Sequence, residues 1–99
     1  MATAVAFVTL WARPYDPPRV WREHLRPLAS EDFAGQLAQV DPRRVPASRI
    51  RGNGRLLSRD AATARVRIAT DGGGVIVDLV RSGAGWLVSG LTPDSGPVP

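Results

Sequence analysis

The sequence predicts an α+β domain in which N-terminal helices pack on a curved four-stranded antiparallel sheet. Three observations lead there. Helical apolar spacing fills the chain before residue 45. Strand-like alternation then runs through Ala62–Thr70, Gly74–Arg81 and Trp86–Leu91. Two turn signals, Asp71-Gly72-Gly73 and Ser82-Gly83-Ala84-Gly85, separate those strands closely enough to make them a meander. One open sheet needs cover on one face, and the helices supply it.

The first element is Ala2–Ala12. Ala4, Val8, Trp11 and Tyr15 fall at i, i+4, i+7 and i+11, with Phe7 and Leu10 on an adjacent stripe. Threonine is its only polar residue type, which suits the central helix of the covering layer, and Pro14 ends it. Asp16-Pro17-Pro18 reads as a helix start, with Asp16 as N-cap and Pro17 in the first helical position. Val20, Trp21, Leu25 and Leu28 form the apolar stripe that follows, with His24 inside it, and Pro27 ends or kinks the helix. Ser30 caps a third helix whose first turn holds Glu31 and Asp32 and whose buried stripe is Phe33, Leu37 and Val40. Asp41-Pro42 stops it.

Val45–Leu57 has β character interrupted by Gly52-Asn53-Gly54. Asn-Gly is a two-residue hairpin signal. The alternative is one strand bent at the glycines. The short flanks and the later turn at Arg59-Asp60 favour the bent strand. In the next strand Ala64, Val66 and Ile68 alternate with Arg65 and Arg67, so one face is dry and one wet. Val75, Val77 and Leu79 extend the dry face, against Ile76, Asp78 and Val80. In the last strand Trp86 and Val88 share a face, opposite Leu87, Ser89 and Leu91. Residues 1–93 thus form a single domain, and 94–99 a Pro/Gly/Ser-rich disordered tail.

Composition narrows the chemistry. The chain has 99 residues and 43% hydrophobic content, a globular composition in one domain. It has no cysteine, which excludes thiol catalysis and Cys-based metal sites. The net charge of +4 comes from thirteen basic residues, all arginine, against nine acids. The arginines are spread along the chain, so nucleic acid is not the favoured partner. The apolar Met1–Ala12 is shorter than the ~20 residues a membrane span needs and lacks a basic n-region, so the chain reads as soluble.

The order of elements, with Trp21, Leu25, Pro27 and Leu28 in a Trp-x(3)-Leu-x-Pro-Leu pattern, resembles the cystatin-like/NTF2-like superfamily. More narrowly it resembles the extracytoplasmic domains of actinobacterial conjugation proteins of the TcpC type, and the related domains of type IV secretion systems. Phe7-Val8 and Trp11, Trp21–Ser30, Asp41-Pro42, Val45-Pro46-Ala47, Thr70-Asp71-Gly72 and Trp86-Leu87-Val88 carry that likeness. It implies an assembly module on the extracytoplasmic face of the cell envelope, with a protein partner or self-association and no cofactor. Members of that type carry a transmembrane helix and linker ahead of the domain, and this sequence contains no such segment.

NTF2-like enzymes use an Asp, His or Tyr inside the cone between helix and sheet. The residues available for that role are Tyr15, Asp16, His24, Asp32 and Asp78. Asp16 and Asp32 are accounted for as a cap and a first-turn acid, and no spacing forces two of the five together. A pocket reading would use Tyr15, Trp21, His24 and Trp86. Trp11, Trp21 and Trp86 all lie at core-facing positions, and core packing explains them first. Asp71-Gly72-Gly73-Gly74 precedes a strand and lacks the P-loop lysine, so it is a hairpin turn. Arg43-Arg44, Arg49 and Arg51 form the densest basic run, a solvated edge. The expected interface is the outer sheet face, with Arg65, Arg67, Ile76, Asp78, Val80 and Leu87, which is more apolar than a wet face requires.

Overall fold

The computed structural model describes residues 2–83 and 85–94. Three helices, α1 (Ala2–Trp11), α2 (Pro18–Leu25) and α3 (Glu31–Leu37), precede four strands, β1 (Ile50–Arg59), β2 (Thr63–Thr70), β3 (Gly73–Ser82) and β4 (Gly85–Asp94). Short 3₁₀ turns occupy Arg26–Leu28 and Pro42–Arg44. The sheet is an antiparallel meander in the order β1-β2-β3-β4. The α+β class and the order of its elements are those the sequence predicts.

A ten-residue helix is marginal alone, so α1 depends on what it buries. Ala4, Phe7, Val8 and Trp11 face inward, and the helix crosses the sheet, touching β1, β2 and β4. Tyr15 falls beyond the helix end and is 69% exposed, so it drops out of the expected stripe. Pro17, not Asp16, caps α2. The Asp16 carboxylate instead accepts a hydrogen bond from Arg13 Nε at 2.9 Å. Along α2 the buried side chains are Trp21 and Leu25, with Leu28 half-buried just beyond. Val20 and His24, one turn apart on the neighbouring row, are exposed; the inward stripe is narrower than the apolar spacing suggested. Ser30 caps α3 as expected, its hydroxyl accepting from Phe33 N at 3.3 Å.

These helices fill one face of the sheet. Trp21 is fully buried and donates from Nε1 to Trp11 O at 3.0 Å. Phe7 and Phe33 pack with ring centroids 5.8 Å apart. Val66, Ile68, Val77, Leu79 and Val88 meet them from the strands, all closed to solvent. Among the described residues no helix lies against the other face of the sheet.

β1 is one bent strand and not a hairpin. Gly52 and Gly54 both take positive φ, 86° and 80°, and the register jumps there from Arg51↔Ala69 to Arg55↔Arg67. A second irregularity falls between Leu56 and Ser58. The strand begins at Ile50, later than its pattern suggested. Residues before it are drawn to the β2–β3 turn, where Asp71 accepts from Ser48 N at 2.7 Å, from Ser48 Oγ and from Arg49 N at 3.1 Å. Gly72 lies so close to this segment that a Cβ there would stand 1.9 Å from Pro46 O.

β4 departs from simple alternation. Asp78 pairs with Gly90 but Leu79 with Val88, so Ser89 is an extra residue and parity reverses after it. Leu91 therefore stands opposite Val77 and packs on the core, not on the outer face where alternation alone would put it. The strand also runs on to Asp94, opposite Gly74, so that residue belongs to the sheet and not to a tail. The remainder of the expected tail, residues 95–99, lies outside the described residues.

Candidate functional site

The uncovered face of the sheet is built in rows by its register. One row is Ser58, Arg65, Asp78 and Gly90; the next is Arg55, Arg67, Ile76 and Thr92. Thr63, Val80 and Leu87 form a third. Arg65 Nε donates to Asp78 Oδ1 at 2.8 Å, and Arg67 Nε donates to Asp94. Glycine makes room for one of these pairs: a Cβ on Gly74 would come within 2.6 Å of the Arg67 guanidinium, whereas one on Gly90 would make only ordinary contact with Asp78 Oδ2, at 3.7 Å. Partly exposed pairs of this kind contribute little stability. Their effect is to neutralise the middle of the face while Ile76, Val80 and Leu87 remain half-buried between them. A shallow open depression of about 400 Å³ runs along Ser58, Thr63, Arg65, Asp78, Val80 and Ser89.

All six residues of the expected interface (Arg65, Arg67, Ile76, Asp78, Val80 and Leu87) thus occur on this one face. Asp94 and the two glycines were not foreseen. The Arg67–Asp94 pair joins residues 27 apart in sequence and depends on a strand longer than its pattern.

The residues of the pocket reading do not converge. Trp21 is sealed in the core, His24 is exposed on α2, and Tyr15 stands in solvent with the Arg13 guanidinium 5.4 Å from its ring centroid. Trp86 is half-buried at the far end of the helix-facing side, where Arg59 and Arg81 lie over its ring at 5.6 and 5.2 Å. Of the acids considered, Asp16 pairs with Arg13, Asp32 is exposed in the first turn of α3, and Asp78 is on the opposite side of the sheet. Among the described residues no three His, Cys, Asp or Glu side chains group as metal ligands. In the basic run, Arg43 binds back onto Asp41, its nitrogens 3.1–3.3 Å from that carboxylate, and holds the Asp41 pKa below its ordinary value. No described helix is long and apolar enough to cross a membrane.

In comparison with known proteins, no family model matches the chain, and no curated protein or solved structure matches it.

Proposed function

We propose that this domain is a non-catalytic assembly module of cystatin-like/NTF2-like type, serving a conjugative or type IV secretion-like apparatus of the cell envelope. One observation carries the reading. The sheet is filled on its helix side and bare on the other, where Ile76, Val80 and Leu87 lie half-buried between neutralised arginines. Sheet faces with an apolar centre and polar surround are surfaces for protein contact. The packed space between helices and sheet favours assembly over a small-ligand reaction. The conjugative setting rests on the resemblance of Trp21–Ser30 and its companion motifs.

Ile76→Glu and Val80→Glu test the proposal, because each places a charge at the centre of the face without entering the core. Sedimentation velocity of the purified chain, and its co-sedimentation with cell-envelope fractions, measure association. Circular dichroism measures folding. Lost association with unchanged folding is the expected result. Association equal to that of the unaltered chain would sink the proposal.

A further inference from the structure

On the helix-facing side, the last fully covered row of the sheet is Ala64, Leu79 and Val88, with Arg59 opposite Ala64 on β1. One row further out, Arg81 stands opposite Trp86. The guanidiniums of Arg59 and Arg81, from two strands that are not neighbours, meet over one indole, 5.6 and 5.2 Å from its centroid. Neither arginine has an acidic partner among the described residues. Asp60 is next in sequence to Arg59, but its carboxylate accepts from Ala62 N and Thr63 N, both at 2.8 Å. On the other face Arg65 and Arg67 are each given an aspartate, while Arg55, opposite Arg67, has none among the described residues. The same sheet therefore neutralises Arg65 and Arg67 and leaves Arg59 and Arg81 bare.

We infer that Arg59, Arg81 and Trp86 form a docking site for an acidic segment of a partner protein. The indole holds both planar guanidiniums by cation–π contact. Their N–H edges stay available, and a carboxylate is the planar anion that accepts from such an edge in bidentate fashion. Nucleic acid fits less well. Its bases would need a free aromatic face for stacking, and the guanidiniums already lie over this ring. An apolar side chain flanks the Arg59 end of the site: Leu56 is on the same side of β1 as Arg59 and 49% exposed. The occupant is therefore an acidic stretch carrying an apolar residue. This site is on the opposite side of the sheet from the assembly face proposed above, and does not depend on it.

The experiment follows intrinsic fluorescence while a Glu-Glu-Leu-Glu-Glu peptide is added. Trp11 and Trp21 are buried, so Trp86 is the tryptophan that responds. Saturable change is expected, weakened by added salt, and absent with the Gln-Gln-Leu-Gln-Gln counterpart. Arg59→Gln and Arg81→Gln keep most of the aliphatic stem over the core, and each should raise the dissociation constant about tenfold. Arg26→Gln, at an exposed site elsewhere, should leave it unchanged. Circular dichroism confirms that the variants fold. No saturable response to the acidic peptide, or a response equal in the Arg59 and Arg81 variants, overturns the inference. So does tighter, Arg59-dependent binding of a single-stranded oligonucleotide at equal salt. Self-association lost in these variants without any peptide would give the site to a second copy of this chain, which also overturns it.

Discussion

The two faces of this sheet are made by the same strands, yet they are different materials. On the helix side Ala64, Val66, Ile68, Val75, Val77 and Leu79 lose nearly all their contact with water. On the bare side Ile76 and Val80 come from the same strand as Val77 and Leu79 and remain half in water. Strand alternation sets which residues share a face. It does not set which face is dry, because dryness depends on the helix layer. Stability is therefore concentrated on one side, and the other side is free to change without unfolding the chain. A matched pair tests this most strongly. Ile68→Ala opens a cavity in the filled side and should cost about 2–5 kcal/mol. Ile76→Ala, one strand away on the bare side, should cost less than about 1 kcal/mol, since it leaves no closed cavity. Urea unfolding measures both, and equal costs would mean that the bare face is itself part of the core.

A second test addresses how the faces are held apart at their common end. Gly72 abuts the Pro46 carbonyl, and a side chain there must push the segment before β1 away from the β2–β3 turn. Gly72→Ala should cost about 1–3 kcal/mol by overpacking. Gly73→Ala bears on a different property, since no atom lies within 4 Å of its added Cβ but its φ is +110°. Thermal melts of both variants separate crowding from backbone strain.

The bulge in β4 offers a sharper comparison still, between two leucines of one strand. Leu91 packs on the core and Leu87 faces out, four residues apart, because Ser89 reverses parity between them. Without the bulge they would share a face. Leu91→Ala should cost about 1–2 kcal/mol, below the range of fully buried leucines, and Leu87→Ala less than about 1 kcal/mol. Unfolding in urea orders the two, and the reverse order would restore simple alternation.

Much of this contrast was legible in the sequence, and what was not has physical causes. β2 and β3 pair without a break, so alternation within each strand, counted afresh after the Asp71-Gly72 turn, places every side chain correctly. Gly52 and Gly54 announce a bend because few other residues take positive φ cheaply. Ser89 carries no such mark, and a bulge there is decided by how β4 meets β3. His24 looked inward because apolar neighbours surround it in sequence, but the stripe that α2 buries is only as wide as its contact with α1 and α3. The candidate interface follows from alternation and was readable. The group at Trp86 was not, because Arg59, Arg81 and Trp86 meet only once the register of three strands is fixed.

The smallest effect concerns Asp71, which ties the segment before β1 to the β2–β3 turn. Its pKa is lowered to about 2, first by the Ser48 hydroxyl, then by the N–H groups of Ser48 and Arg49. A depressed carboxyl contributes stability above its unfolded value of 3.8. That contribution is lost as pH falls through about 2, when the carboxyl protonates in the folded chain as well. Asp71 is exposed, so the linkage is modest and local. Asp71→Asn should lower the thermal midpoint by a few degrees at pH 7, where the carboxylate accepts from three donors and the amide oxygen from fewer. Near pH 2 the two proteins should melt closer together, because the aspartate is then losing the same charge. Comparing the two proteins at each pH removes the shared titration of Asp41 and Asp60, whose pKa values are also lowered. A gap between the midpoints that stays constant from pH 7 to pH 2 would show that shape, and not charge, holds the turn to β1.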